Sequence, residues 1–491
     1  VKISDSKYIS HWLFFIMIFV FLFRMYFSYG IFGFNDDFSY KTVFNIEQII
    51  SDPLNMQFNL YYYLLSFFYY LFPFFLTLKI INNIIAVLII LLNYKIAKYI
   101  TNEENSSLLV ALISGFIPIF VIETFNSLNS FNLFLFLFVF QIYNFISFKN
   151  KYNIHFYLFI LITIILPFVS PLSILLAFSL LLFLALAFIE GLDVVKHKVD
   201  LIIFTSIYLI WAQFLIYKNL FLNFGPDVIY QNIPNSLIEN YFIDTSLRSM
   251  IFEIGFIPLV FGIFIIYFFI FKKQRFLLSL FPFFLVFLFL IFFRLISLKI
   301  GLILIGELFV LIFMFFFKLA LDWIKNSKFD RVWYVFLLCF FFIFLFSSYI
   351  PIQSQLIEIS HDKEIENNEY LYEFIKENLK GKKILADYKY GFFIQSVGAI
   401  SMLDQDFYKL KNSQKILTDI KIFYSFTSSV SSLRILEKYD VDYFLINKNI
   451  LKSYGQESFK IENDLCFKDT KSFVKIYDDG FNQIYKGNCL L

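Results

Sequence analysis

The sequence contains few charged residues. Asp, Glu, Lys and Arg make up 16% of its 491 residues, whereas about a quarter of the residues in a soluble domain are charged. Hydrophobic residues make up 59%, and the mean hydropathy is +0.73. The 41 Lys and Arg nearly balance the 38 Asp and Glu, and no basic block stands out. This composition excludes an ordinary soluble domain and a nucleic-acid partner, and it favours membrane lipids as the main surroundings.

Cysteine and histidine are also scarce, with three and four copies. Cys339, Cys466 and Cys489 fit no metal-ligand spacing and no disulfide framework, and only Cys466 and Cys489 could pair. The histidines are scattered, and no glycine-rich phosphate loop is present. Nucleotide-dependent chemistry and a Ser-His-Asp arrangement are therefore not expected, so a transferred group would have to arrive already activated on a lipid.

Long apolar runs dominate the first 350 residues. A bilayer core needs about 20 apolar residues per helix, and we predict about eleven transmembrane helices, near residues 9–29, 80–99, 107–125, 131–148, 154–168, 172–189, 201–219, 251–270, 276–294, 299–317 and 332–350. The first run lacks a small-residue cleavage site and leads into further spans, so it is not expected to be a cleaved signal peptide. Pro167 and Pro171 split one long run into two helices joined by a tight turn.

Residues 60–76 are apolar but rich in tyrosine, which is typical of an interfacial helix rather than a span. With an inner N-terminus and this stretch on the outer surface, every inner loop is basic, as the positive-inside rule requires. The inner loops then hold Lys2, Lys7, Lys95, Lys98, Lys149, Lys151, Lys196, Lys198, Lys272, Lys273, Arg275, Lys318, Lys325, Lys328 and Arg331. This topology predicts a cytoplasmic N-terminus in the cell membrane.

Three long segments then lie outside the membrane: loop 30–79, loop 220–250 and the tail 351–491. The tail is charged and mixed. It predicts helices over 367–379 and 429–439, strands over 383–386 and 441–446, and a hairpin across Asp478-Asp479-Gly480. The predicted fold is therefore mostly α, with a polytopic transmembrane domain over 1–350 and a small extracytoplasmic α/β domain over 351–491.

An acidic pair, Asp36 and Asp37, follows the outer end of the first span. Adjacent carboxylates suit a general base, or they bind a divalent cation, Mg²⁺ or Mn²⁺, through oxygen. The alternative is that they cap the following helix or face water. No cofactor is certain from these residues.

Other ionisable residues border spans at the same predicted face: Glu123, Glu253, Arg294 and Lys299. Charges in such positions usually line a cavity or pair with each other. Arg294 and Lys299 beside a carboxylate pair suit an anionic headgroup, because arginine grips phosphate oxygens through its planar fork. Snorkelling toward lipid headgroups is the alternative for both cations. Glu307 lies deeper and has no assigned role.

The order of these features resembles the GT-C superfamily of integral-membrane glycosyltransferases, which includes protein mannosyltransferases and oligosaccharyltransferases. Residues 51–54 (Ser-Asp-Pro-Leu) and 60–65 (Leu-Tyr-Tyr-Tyr-Leu-Leu) resemble the family's Pro-Leu-Tyr-Tyr segment, which makes Tyr62 a candidate substrate-binding residue. In that family the first outer loop supplies the catalytic carboxylate and the donor is a polyprenyl-phosphate sugar. The resemblance implies that Asp37 or Asp36 orients or deprotonates the acceptor and that Arg294 holds the lipid phosphate.

Two segments depart from the family pattern. Residues 384–394 resemble the Trp-Trp-Asp-Tyr-Gly segment with which oligosaccharyltransferases recognise the acceptor sequon, but both tryptophans are missing, which favours a structural strand-to-turn role. In residues 124–132, where related enzymes commonly place an acid, this chain has only Asn. An Asn oxygen ligates a cation without charge, which disfavours a tightly held metal.

The leading hypothesis is glycosyl transfer at the outer membrane face from a polyprenyl-phosphate (dolichyl-phosphate) sugar to a lipid, glycan or protein acceptor. The sugar, the acceptor and the stereochemistry stay open. One alternative is oligosaccharide transfer to Asn. The other is a catalytically inactive GT-C scaffold or a lipid-glycan transporter.

Overall fold

A computed structural model of the chain describes residues 6–29, 31, 33–34, 37–52, 59–71, 74–148, 153–192, 194–224, 247–272, 275–326, 333–360, 363–406, 412–425, 429–454 and 473–487. The first part is helical. Its helices are α1 (Ser6–Tyr29), α2 (Asp37–Ser51), α3 (Leu60–Leu71), α4 (Phe74–Thr101), α5 (Glu104–Gly115), α6 (Pro118–Thr124), α7 (Ser130–Ser147), α8 (Ile154–Ile165), α9 (Ile174–Ile189), α10 (Lys196–Phe224), α11 (Leu247–Ile254), α12 (Phe256–Lys272), α13 (Arg275–Phe292), α14 (Leu298–Lys325), α15 (Trp333–Phe344) and α16 (Ile350–Ser360).

Seven segments within the described residues are long and apolar enough to cross a membrane: Ser10–Tyr29, Leu78–Thr101, Ser130–Ser147, Pro171–Ile189, Lys196–Lys218, Leu298–Ile324 and Leu338–Ile359. The pair α5 and α6 makes an eighth if it is one span bent by 48°, and three further apolar helices are shorter. Every predicted run therefore falls on an apolar helix, but the predicted count of eleven spans is not confirmed. Pro118 begins α6, which explains the bend, because proline cannot donate the backbone hydrogen bond that would continue α5.

The two prolines separate two apolar helices, as predicted. Leu166–Phe168 and Pro171–Ser173 are single turns of 3₁₀ helix between α8 and α9. Ser170 caps the second turn by accepting from the backbone N–H of Leu172. The predicted tyrosine-rich helix is α3, which covers Leu60–Leu71; its interfacial position stays a prediction.

Helix α14 forms the centre of the bundle. In an apolar 18-residue stretch of its segment Leu298–Ile324, 89% of the residues are buried, whereas the share in Ser10–Tyr29 at the periphery is 22%. The last span continues through a π-helical turn, Leu345–Tyr349, into α16 without a break. The helix thus passes the predicted domain boundary at 350/351, and the division of the chain there stays a prediction.

The tail contains a five-stranded sheet in the order β2-β1-β3-β5-β4. Its strands are β1 (Lys383–Leu385), β2 (Ile400–Ser401), β3 (Tyr443–Asn447), β4 (Phe473–Asp478) and β5 (Asn482–Gly487), and its helices are α17 (Lys363–Asn378), α18 (Gly391–Ser396), α19 (Ser413–Ser425), α20 (Ser429–Tyr439) and α21 (Lys448–Ser453). Strands β2, β1 and β3 are parallel, and β3, β5 and β4 are antiparallel. The predicted helices, strands and Asp-Gly hairpin are confirmed.

Gly391, the first residue of α18, packs directly against the backbone that follows β2. A Cβ atom at Gly391 would lie 2.4 Å from Asp404 Cα and 2.4 Å from Leu403 O. Backbone atoms cannot rotate away as a flexible side chain can. Glycine at this position therefore lets two backbone segments meet at the start of α18.

We expect Gly391→Ala to destabilise the fold by roughly 2 kcal/mol through overpacking. Gly381→Ala is the control, because its Cβ would meet nothing within 4 Å and only its left-handed backbone would cost about 1 kcal/mol. Thermal unfolding in one detergent measures both variants. An equal or larger fall in Tm for Gly381→Ala would contradict the packing argument.

Candidate functional site

A cavity of about 1040 Å³ lies where the helical bundle meets the tail. Its walls come from α2, from the end of α6 through the first turn of α7, from the start of α14, and from the turn around Tyr388. The ionisable residues that line it are Asp37, Glu123, Lys299, Asp387, Tyr40, Tyr388, Lys389, Tyr390 and Lys452. Opposite charges and neutral amides thus share one large cleft, which is the usual form of a binding site.

Asp37 is held by the tail. It is 8% exposed, its Oδ2 accepts from the backbone N–H of Phe392 at 3.1 Å, and its Oδ1 accepts from that of Phe393 at 2.7 Å. These are the second and third residues of α18, whose own N-cap residue, Tyr390, makes no side-chain cap. Asp37 therefore caps α18 from another part of the chain, and its charge favours the positive end of the helix.

Neighbouring residues of α2 strengthen this junction. Lys41 forms an ion pair with Asp406, and its ammonium lies 4.9 Å from the centre of the Phe392 ring. The Tyr40 ring meets the Phe393 ring edge-on at 5.0 Å. One turn of α2 thus fixes α18 by charge, hydrogen bonds and aromatic packing.

The same helix also fixes the connection between α6 and α7. Ser39 Oγ accepts from the backbone N–H of Leu128 at 2.6 Å, and Thr42 Oγ1 donates to Leu128 O at 2.8 Å. Asn126 Nδ2 donates to Gly33 O at 3.1 Å. Residues 125–129, which form one wall of the cavity, are therefore anchored to the segment that holds α18.

Two buried cations at the ends of membrane helices support this region and are absent from the sequence-based predictions. Arg24 is fully buried; its Nε donates to Asn83 Oδ1 at 2.8 Å and its Nη2 to Thr124 Oγ1 at 2.9 Å. The Lys79 ammonium donates to the backbone oxygens of Ser28 and Ile31. A charged residue within an apolar run is costly to bury. The occurrence of Arg24 and Lys79 in such runs could therefore have marked both residues in the sequence.

Glu123 and Lys299 form an ion pair of 2.7 Å, Lys299 Nζ to Glu123 Oε1, at the edge of the cavity. Glu253 interacts electrostatically with both residues but does not line the cavity. Of the four ionisable residues predicted at this face, Glu123 and Lys299 pair with each other and line the cavity, whereas Glu253 and Arg294 do not line it; their roles in binding stay a prediction.

Asp387 lies on the opposite wall and is 2% exposed. It accepts from the backbone N–H of Lys389 at 3.0 Å and so begins the 3₁₀ turn Tyr388–Tyr390. The Tyr454 hydroxyl also bonds Asp387, and burial together with this carboxylate raises the pKa of Tyr454. Burial raises the pKa of Tyr388 to about 12, so its hydroxyl is neutral. The segment is a strand-to-turn element, as its sequence predicts.

The remaining predicted residues lie elsewhere. Arg294 follows α13 in a left-handed turn with φ 58° and is exposed, and Tyr62 packs against Tyr61 with ring centres 6.4 Å apart. Neither lines the cavity. Glu307 is paired with Asn93, whose Nδ2 donates to Glu307 Oε2 at 2.7 Å. Asp36, Pro53-Leu54 and residues 225–246 lie outside the described residues, as do Cys466 and Cys489.

The described residues do not fit a divalent cation. Within the described ranges no three His, Cys, Asp or Glu side chains are grouped as metal ligands would be. Both oxygens of Asp37 accept backbone N–H groups, and Glu123 is paired with an ammonium. The residues of the α6–α7 connection are neutral amides and hydroxyls, which carry no charge toward Mg²⁺ or Mn²⁺.

The fold is that of solved archaeal oligosaccharyltransferase structures. The crystal structure of the Archaeoglobus fulgidus oligosaccharyltransferase in the apo form aligns with a TM-score of 0.66 at 12% identity, over 99% of this chain and 75% of that one. The oligosaccharyltransferase AglB of the same organism, in complex with an inhibitory peptide and a dolichol-phosphate, aligns with a TM-score of 0.65 at 12% identity, over 96% and 74%. A third structure, the A. fulgidus enzyme with Zn and sulfate, gives 0.59 at 12% identity, over 96% and 73%.

No protein-family model and no curated protein matches the sequence. At 12% identity the structural likeness establishes the fold alone. The predicted resemblance to GT-C enzymes is confirmed at that level. Together with the apolar helices, it identifies an integral membrane protein.

We expect Asp37→Ala to destabilise the junction between α2 and α18 by about 3 kcal/mol, because two buried N–H groups lose a charged acceptor. Asp37→Asn keeps one acceptor oxygen and costs less. Asp52→Asn, at the exposed end of the same helix, is the control. Thermal unfolding and limited proteolysis of the tail measure the effect, and unchanged Tm and cleavage in Asp37→Ala would contradict the capping role.

Proposed function

We propose that this protein is a glycosyltransferase that moves a sugar from a polyprenyl-phosphate donor to an acceptor bound in the cavity. The observation that carries the proposal is the cavity itself: in a GT-C fold, Asp37, Glu123 and Lys299 line one cleft at the end of the helical bundle. The solved complex of AglB with dolichol-phosphate and a peptide supports a lipid-linked donor.

In the proposed reaction an acceptor hydroxyl or amide attacks the anomeric carbon of the donor sugar. The new bond to that carbon forms as its bond to the phosphate oxygen breaks, and polyprenyl phosphate leaves with the electron pair. Asp37 takes the acceptor proton or orients the acceptor; Asp36, the preceding residue in the sequence, is the second candidate for this role. The two N–H groups hold the Asp37 carboxylate in a fixed geometry where it lines the cavity, as a group that acts on a bound acceptor requires.

Lys299 is the leading candidate for the donor phosphate, because it is the predicted phosphate-binding cation that lines the cavity. Lys389 and Lys452 on the opposite wall add positive charge. Arg294 lies outside the lining and is the second candidate for the phosphate; Glu253, also outside the lining, is kept only as a candidate for contact with the sugar or the acceptor. Since the described residues do not fit a divalent cation, no step is derived through one, and the lysines are proposed to balance the leaving phosphate.

The proposed orientation follows from the basic loops. Lys95, Lys98, Lys196 and Lys198 lie at the helix ends away from the cavity, which supports a cytoplasmic N-terminus with the cavity and the tail on the outer side. The donor sugar would then be reached from the outer leaflet of the cell membrane.

The purified protein should transfer radiolabelled sugar from members of a panel of dolichyl-phosphate and other polyprenyl-phosphate sugars to lipid, glycan or Asn-X-Thr peptide acceptors. Asp36→Ala and Asp37→Asn test the two carboxylates. The variant that lacks the catalytic carboxylate should lose proton transfer, which should lower kcat by roughly 100-fold or more. Lys299→Met should chiefly raise the KM for the donor, whereas Lys382→Met, an exposed lysine outside the cavity, should change neither. Unchanged kinetics in Asp36→Ala, Asp37→Asn and Lys299→Met, with folding intact, would contradict the proposal.

Two further arms separate the alternatives. Donor binding without transfer by the wild-type protein would favour a scaffold or a lipid-glycan transporter. Transfer only to the peptide would favour oligosaccharide transfer to Asn. We expect transfer to persist in EDTA; loss that Mg²⁺ or Mn²⁺ restores would show that a cation participates.

The orientation predicts opposite labelling of two exposed positions, Lys196 and Glu437. With the native cysteines replaced by Ser, Glu437→Cys should react with an impermeant maleimide on intact cells. Lys196→Cys should react only after the membrane is opened. The reverse pattern would contradict the proposed topology.

A further inference from the structure

The cavity wall made by residues 127–132 contains an amide whose orientation is set by a second amide. Asn82 Nδ2 donates to Thr124 O at 2.7 Å and to Ser127 O at 2.5 Å. Because both its protons are used, Asn82 can offer only Oδ1 to Asn132, which donates to it through Nδ2 at 2.6 Å. The network therefore fixes which end of Asn132 is nitrogen and which is oxygen.

The remaining oxygen has no donor. Asn132 is 3% exposed and lines the cavity, and its Oδ1 is buried without a hydrogen-bond partner among the described residues. Buried polar atoms in native proteins are nearly always satisfied, and an orphan at a cavity calls for a ligand or an ordered water. The unpaired oxygen of Asn132 therefore indicates a ligand independently of the number of asparagines in this segment.

Asn129 supplies the complementary group three residues earlier. Its Oδ1 accepts from the backbone N–H of Phe131 at 3.0 Å and so caps α7. Its Nδ2 donates to no acceptor among the described residues, and Asn129 also lines the cavity. Asn129 is the N-cap residue of α7 and Asn132 is the third residue of the helix, so the start of one helix offers an acceptor and a donor to the cavity.

We propose that Asn132 and Asn129 bind hydroxyl groups of a sugar ring, which each donate and accept a hydrogen bond. An anion would not pair with the free oxygen. The lining carries charges of both signs, three lysines and three carboxylates, and therefore does not select a cation, whereas a neutral hydroxyl group suits both amides. The rings of Phe34, Tyr40 and Phe131 also line the cavity and offer apolar surface to the faces of a sugar. This inference rests on the proposed function and specifies Asn129 and Asn132 as residues that bind the sugar.

The test is binding of dolichyl-phosphate-mannose and of bare dolichyl phosphate by calorimetry in detergent. Asn132→Leu removes the free acceptor at similar volume, and Asn129→Asp keeps the helix cap but removes the free donor. Each should weaken binding of the sugar-bearing lipid by roughly five- to tenfold, the value of one hydrogen bond, and leave the bare lipid unchanged. Asn144→Leu is the control, because Asn144 is a buried amide of the same helix that bonds Phe140 O and His155 and does not line the cavity.

The outcomes separate this inference from the proposed function. If the wild-type protein binds neither lipid, the proposed function fails. If it binds both lipids equally, the assignment of Asn129 and Asn132 to the sugar is wrong, while the proposed function stands. The same holds if Asn129→Asp and Asn132→Leu keep full affinity for the sugar-bearing lipid. Free mannobiose distinguishes a saccharide acceptor from the donor sugar. If the wild-type protein binds mannobiose and both variants weaken this binding, Asn129 and Asn132 bind the acceptor. If mannobiose does not bind, the two residues bind the sugar of the donor. An Asn-Val-Thr peptide whose binding falls in Asn132→Leu, with lipid binding unchanged, would overturn the saccharide assignment in favour of a peptide.

Discussion

The carboxylate of Asp37 occupies the position that an N-cap side chain would normally take at α18, although it belongs to a helix some 350 residues earlier in the chain. A short helix in the tail cannot satisfy its own first N–H groups when its N-cap residue is a tyrosine. The acid from α2 satisfies two of them. The position of the tail relative to the helical bundle depends on this contact. The cavity wall that the tail forms therefore depends on it as well.

The other walls of the cavity depend on the same helix. Ser39 and Thr42 hold the backbone of Leu128 from both sides, while Asn82 ties the adjoining carbonyls to α4. Beneath them, Arg24 and Lys79 are buried at the ends of apolar helices and bond only neutral partners among the contacts described above. Burying so many polar groups is costly unless each is paired, and their pairing gives the cleft a fixed shape in which a substrate meets oriented groups.

The sequence predicted the helices, the proline break, the hairpin and the strand-to-turn segment, because each depends on local signals such as apolar runs, Pro167, Pro171 and Asp479-Gly480. It also predicted that Asp37, Glu123 and Lys299 border the same face of the membrane, because all three lie at the ends of apolar runs, and the structure places these three in the lining of one cavity. It did not reveal that Asp37 caps α18, since that contact joins distant parts of the chain. Lys389, Lys452 and Asn132 were missed as lining residues for the same reason. Arg294 was predicted to bind the phosphate because it ends an apolar run, but that position does not specify the direction in which the following turn carries the side chain.

The central claim is that the cavity between α2, the α6–α7 connection and the Tyr388–Tyr390 turn binds the lipid-linked donor. A cryo-electron microscopy structure of the wild-type protein with a dolichyl-phosphate sugar tests it most directly. The claim predicts density for the phosphate beside Lys299 and for the sugar beside Asn129 and Asn132. A donor bound elsewhere, with this cavity free of lipid density, would contradict it.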